Sequence, residues 1–143
     1  VLKSLDWNGD AMLFTTYLAN LRYRGLHPTK KFIFVMVDRG NNEVAPTREM
    51  VSQMLRDKKL FGEQWETRGH SACWPAYRKK YLKLLESEEA KAWMKKVAAE
   101  SQTADIVLVC FEKDHKHCHR RLLAQEIVRS HPEVEYHGEL RNI

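Results

Sequence analysis

The sequence predicts an α/β fold, a single small domain over residues 1–143 with a mostly parallel central sheet and helices on its faces. Three observations predict it. Phe32–Val37 and Ile106–Cys110 are continuous apolar runs, the pattern of strands buried on both sides in a parallel sheet. Apolar residues recur at helical spacing between and after these runs. Strand, long helical crossover, strand, helix and strand is the order of a sheet with helices packed on it. A chain of 143 residues is the usual size of one domain with a substantial core.

Met12–Thr16 fits a first strand, although Tyr17–Leu21 fits equally well as the extension of a helix from Asp10. Ahead of it, Leu2, Leu5 and Trp7 read as an apolar lead-in. If the strand reading holds, Tyr17 and Asn20 stand at its carboxyl end. Gly25 and Pro28 mark a loop, and the second strand ends in Asp38-Arg39-Gly40. Asn41-Asn42 reads as flexible connection. Pro46-Thr47-Arg48-Glu49 opens a helix with Thr47 as its cap and Met50, Val51, Met54 and Leu55 as its buried stripe. Phe61–Pro75, with Gly62 and Gly69, lacks a long period and reads as a surface excursion that holds His70 and Cys73. Helical spacing resumes at Ala76 through Tyr77, Tyr81, Leu84, Leu85, Trp93, Val97 and Ala98, as one helix or as two broken near Ser87. Core packing explains Trp74, Tyr77 and Tyr81 better than base stacking, because no alternating basic pattern surrounds them. After the Ile106–Cys110 strand, a helix runs from Cys118 to about Ser130, where Pro132 stops it. Val134–His137 then reads as a short edge strand.

The bulk composition excludes more than it selects. Lys and Arg number eleven against eight Asp and Glu up to residue 71, and thirteen against eleven beyond it. A net charge of +5 without a basic block argues only weakly for nucleic acid. Three cysteines make no disulfide framework, and their odd count favours a reducing compartment. The apolar runs are too short for a membrane span, and no signal-peptide pattern precedes them. The chain opens on Val1 rather than Met, which reads as an incomplete N-terminus. A soluble cytoplasmic protein is expected, and an apolar helix face is compatible with a homodimer.

In open α/β sheets ligands bind beyond the carboxyl ends of the strands. There the sequence gathers Cys110 and Glu112 at a strand end and Cys118, His119 and Arg120 at a helix start. A thiol at a helix N-terminus beside Arg and His is favoured as thiolate, so Cys118 is a candidate nucleophile or redox cysteine as well as a small buried cap. Cys110 reads as core, or as Cys118's partner in a redox pair or metal site. Four tetrahedral ligands at defined spacing are not evident among Cys110, Glu112, His115, His117, Cys118 and His119, so no metal is assigned. Glu112 serves either as an acid/base or as a structural partner of Arg120 in a bidentate ion pair. Either Arg120 or Arg121 faces the crevice as an anion ligand, with Arg39 as a second. A phosphate loop of the cysteine type would need arginine where Lys116 stands, and no kinase, P-loop or dinucleotide glycine motif names a cofactor.

Leu108-Val109-Cys110-Phe111-Glu112-Lys113 followed by Cys118-His119-Arg120 resembles the signature of the domain of unknown function 488 family. Met12–Tyr17 with Ala19-Asn20-Leu21 is similar to that family's opening strand and turn. Ala45-Pro46-Thr47 with Met50-Val51 is similar to its first clear helix, Tyr77–Tyr81 to its long helix, and Val134-Glu135 to its closing segment. The resemblance covers about residues 12–136. It implies a small α/β fold with a polar pocket around Cys110, Glu112, Cys118, His119 and Arg120, with Thr15, Tyr17 and Arg39 nearby. It transfers no reaction. Asn41-Asn42 departs from relatives that are richer here in proline and aromatic residues, so this wall of the pocket is expected to differ.

Two functional classes follow, with a third beside them. One is an enzyme acting on a small anionic, phosphorylated or nucleotide-like substrate. In that reading Cys118, Glu112 and His119 are catalytic, and Arg120, Arg39, Tyr17, Cys110 and Thr15 bind substrate. The other is a nucleotide or nucleic-acid binding module without catalysis, and the third a metal-binding or structural module.

Overall fold

The computed structural model describes residues 11–112 and 117–140. The lead-in at Leu2, Leu5 and Trp7, and the loop residues His115 and Lys116, lie outside the described residues. Met12–Thr16 resolves as a strand: β1 is Leu13–Tyr17, and a 3-10 segment over Leu18–Leu26 follows it. β2 is Lys31–Phe34, α1 Arg48–Phe61, α2 His70–Leu84 and α3 Glu88–Glu100. β3 is Ile106–Cys110, α4 His119–Ser130 and β4 Tyr136–Glu139. The sheet has the order β2-β3-β1-β4, and every neighbouring pair is parallel.

β3 lies between β1 and β2 and is buried along its whole length, as its unbroken apolar run requires. Leu13, Ile33, Val35, Ile106, Leu108 and Cys110 join Leu122, Leu123 and Ile127 of α4, Trp93, Met94 and Val97 of α3, and Tyr81 of α2 in one core. Thr16, Val107 and Val109 are also buried, and Asn20 of the 3-10 segment donates to Thr16 Oγ1 (3.0 Å). The break near Ser87 is real: Ser87 caps α3 by accepting from Ala90 N–H (3.1 Å), as Thr47 caps α1 by accepting from Met50 N–H (3.1 Å). No helix among the described residues is long and apolar enough to cross a membrane.

Four segments depart from expectation. β2 stops at Phe34 instead of Val37, because Asn41 Nδ2 donates to Phe34 O (2.8 Å) and turns the chain through Asp38, Gly40 and Asn41 at positive φ. Asn41 is therefore no flexible linker, and Trp93 Nε1 fixes its other amide atom (2.9 Å). Phe61–Pro75 is helical, not a surface excursion. A 3-10 turn at Gly62–Gln64 and a π turn at Trp65–Gly69 carry the chain into α2 and shift its apolar residues off the 3.6 period. A Cβ on Gly69 would lie 2.5 Å from Phe61 Cγ and 2.7 Å from Trp65 Cε3, so only glycine lets these turns close. In α1 only Met50 of the expected stripe is buried, and Leu55 is 56% exposed. β4 sits two residues later than expected, with a bulge against β1.

That bulge positions a residue the sequence pattern does not flag. Tyr136 pairs with Leu13 and Glu139 with Thr15, so β4 spends one residue more than β1 over the same interval. The extra residue is accommodated at Gly138, whose φ of 80° suits glycine. Both Tyr136 and Glu139 are thereby turned toward Thr15, and their side chains hydrogen-bond its hydroxyl.

Candidate functional site

Cys110 closes β3 and Cys118 stands at the N-cap position of α4, and the two sulfurs are joined in a disulfide. Among the cysteines only Cys73 is a free thiol, raised above its ordinary pKa by burial first and then by Asp57. The two sulfurs that the sequence places at a strand end and a helix start are thus brought together, with His119 beside them.

His119, one residue into the helix, is buried. Its Nε2–H donates to the carbonyl of Val35 (2.7 Å), which leaves the Nδ1 lone pair free, 3.8 Å from Cys118 Sγ. Tyr81 meets the imidazole edge-on at 5.2 Å and donates its own hydroxyl to Val44 O (2.6 Å). Burial lowers the His119 pKa to about 4; the bond to Val35 opposes that shift and the Arg120 charge adds to it. Between that value and its ordinary pKa of 6.5, the unfolded chain binds a proton that the native protein refuses. Native stability is therefore full above pH 6.5 and falls as the pH drops towards 4. The expected loss for the disulfide-bonded protein is about 2 kcal/mol between pH 6.5 and 5. Urea unfolding across that interval measures it, and His119→Gln, which keeps a donor for Val35, should flatten the slope. Equal slopes in the two proteins would contradict the assignment.

Arg120 has no exposed surface. Its Nη2 and Nε grip both oxygens of Glu139 (2.8 and 3.0 Å), and its Nη1 donates to the Glu112 carbonyl and to Cys110 Sγ (3.4 Å). The bidentate carboxylate partner of Arg120 is therefore Glu139, not Glu112, which contributes only its backbone. Thr15, fully buried, extends the network from β1 by bonding Glu139 and Tyr136.

A cavity of about 360 Å³ opens on the other side of the sulfur pair. Cys110, Cys118, His119 and Glu112 line it at one end and Arg39 and Lys58 elsewhere, while Thr15, Tyr17 and Arg120 do not. The sequence candidates thus divide between a cavity set and a buried ionic network, with Cys110 Sγ at the junction. Tyr17 ends β1 in register with Cys110, half-buried. Arg39 is exposed, its guanidinium 5.8 Å from the centre of the Phe34 ring.

Most of the cavity wall is apolar and aromatic. Trp74 stacks on Tyr77 (5.5 Å between centroids) and meets His117 edge-on (5.5 Å). His117 in turn packs against His70, and His70 stacks on Trp65 (4.9 Å). Trp74 and Tyr77 pack against the core, as expected, but are only half-buried and also face this space; Tyr81 alone of the three is fully buried. Val51, Met54 and Leu55, the part of the α1 stripe that is not buried, line the cavity as well. Burial and the neighbouring Glu112 charge push the Tyr77 hydroxyl above its ordinary pKa. The helical 62–70 segment, which supplies Trp65 and His70, carries no periodic signal by which this wall could have been read.

The family described as "DUF488-N3a: Active DUF488-N3 subclade" matches residues 17–131. No curated protein and no solved structure matches the chain.

Proposed function

We propose that this chain, which belongs to the DUF488-N3a family, is a binding module for a small nucleotide-like molecule, a flat aromatic ring that carries an anionic group. The observation that carries this reading is the cavity itself: its volume of about 360 Å³ lies within the range of small-molecule sites, and such sites are mostly apolar with few polar groups. Trp74 and Tyr77 offer faces to a heterocycle, since any base has a π-face to stack. Arg39, Lys58 and Lys80 on the lining offer cations to a phosphate, and Glu112 offers an acceptor to ring or amino N–H groups. Arg120, with its carboxylate partner in place, serves in this reading as the strut beneath the pocket together with Thr15, while Tyr17 stands outside the lining.

Binding is favoured over catalysis because the sulfur of Cys118 is tied to Cys110 and is no nucleophile in that form. Turnover would begin only from the reduced pair, with Glu112 as the acid/base beside it. Calorimetric titration with a nucleoside monophosphate, the matching nucleoside and inorganic phosphate tests the reading. The monophosphate should bind saturably and at least about tenfold more tightly than either part, because stacking and charge each contribute about 1–3 kcal/mol. Arg39→Gln should reduce the salt dependence of that affinity. Equal, weak binding of all three would overturn the reading.

A further inference from the structure

The sulfur pair carries a second inference, independent of whether a nucleotide binds. We propose that Cys110, Cys118 and His119 in the reduced protein hold one Zn²⁺ ion at the end of the cavity.

Three buried donors converge there: the two sulfurs and His119 Nδ1 all lie within 4.8 Å of one another. The separation of 3.8 Å between Cys118 Sγ and Nδ1 is close to the edge of a zinc tetrahedron, about 3.5 Å for Zn–S near 2.3 Å and Zn–N near 2.0 Å. The imidazole is already oriented for a metal. Its outer nitrogen donates to Val35 O, the second-shell arrangement that fixes a ligating histidine and aims its other lone pair. Arg120 Nη1, 3.4 Å from Cys110 Sγ, supplies a hydrogen bond to a thiolate, and its positive charge is matched by Glu139. Two thiolates neutralise the ion, so the buried assembly is electrically balanced. All three donors line the cavity, and no fourth protein ligand joins them among the described residues. Three protein ligands and an open position facing a cavity are the pattern of a zinc site that accepts an exogenous ligand.

The route to this state balances. A small dithiol attacks the Cys110–Cys118 bond and leaves as its own cyclic disulfide. The two electrons and two protons it gives up convert the bridge into two thiols, and Zn²⁺ then displaces both thiol protons. The cyclic disulfide of that dithiol runs the step backwards: it takes up the two electrons as the bridge re-forms, both sulfur ligands are lost and Zn²⁺ is released, so metal occupancy and the bridge exclude each other.

The test uses the whole chain, reduced with a phosphine under inert gas and titrated with Co²⁺ as a spectroscopic stand-in, then with Zn²⁺. The expected result is one Co²⁺ per chain with thiolate-to-cobalt charge-transfer absorption, bleached by one equivalent of Zn²⁺, and no uptake by the oxidised protein. Cys118→Ser and His119→Gln, each removing a direct ligand, should both weaken binding at least about a hundredfold, more than the loss of an outer-shell partner does. If a variant fails to fold by circular dichroism, the comparison of reduced and oxidised wild-type chains carries the test alone. Absence of stoichiometric uptake by the reduced chain would overturn the site, as would equal uptake by the oxidised chain. Neither result bears on nucleotide binding, which is read separately by calorimetry.

Discussion

Arg120→Met is expected to destabilise the protein by about 3–5 kcal/mol, the usual cost of removing one partner from a buried ion pair. Methionine restores much of the volume, so the cost is electrostatic rather than steric. Without the guanidinium, Glu139 keeps the neutral Thr15 hydroxyl as its side-chain partner, and the Glu112 carbonyl and Cys110 Sγ lose a donor. The Glu139 side chain is only 18% exposed, so water compensates little of the loss. The melting temperature should fall on the order of 10 °C for a chain of this size. Arg120→Met combined with Glu139→Leu should recover much of the stability, since replacing both members of a buried pair by apolar residues is often neutral. Urea unfolding of the single and double variants measures both effects. A loss below about 1 kcal/mol in Arg120→Met would contradict the structural role of the Arg120–Glu139 pair, because only a well-solvated ion pair is lost so cheaply.

Trp74→Leu is expected to lower the affinity for a nucleoside monophosphate about ten- to a hundredfold, as loss of one stacking face costs about 1–3 kcal/mol. Leucine keeps apolar contact with the core but has no π-face. Trp74 is only partly buried, so the folded state should change far less than it does in Arg120→Met. The salt dependence of binding should be unchanged in Trp74→Leu and reduced in Arg39→Gln, which separates stacking from charge. Calorimetry at two ionic strengths reads both. If Trp74→Leu binds as tightly as the wild type, the aromatic wall is packing and not a ligand platform.

Much of the fold was legible because its signals are local. An unbroken apolar run fixes β3, Thr47 and Ser87 announce two helix starts, and the Cys118-His119 junction falls at the start of α4. The Cys-x-Glu and Cys-His-Arg stretches likewise point to the end of the sheet where the cavity lies. What was not legible depends on contacts distant in sequence. Glu139 lies nineteen residues beyond Arg120 in a short segment whose register is changed by the bulge at Gly138. Nothing in the local pattern prefers it over Glu112 as the partner of Arg120. The α1 stripe has helical period, but the period does not distinguish residues that face a core from residues that face an internal space. Trp65 and His70 reach the cavity through a π turn, which breaks the only regularity a reader of sequence could follow.

The most direct measurement of the central claim is a two-dimensional ¹H–¹⁵N spectrum of the tryptophan indoles during titration with a nucleoside monophosphate. Trp65 and Trp74 line the cavity, whereas Trp93 donates to Asn41 outside the lining. The expected result is a saturable shift of the Trp74 and Trp65 indole signals at the ligand concentration that saturates calorimetry, with Trp93 little changed. Saturable binding that leaves Trp74 and Trp65 unmoved, or no saturable shift at all, would contradict the cavity as the binding site.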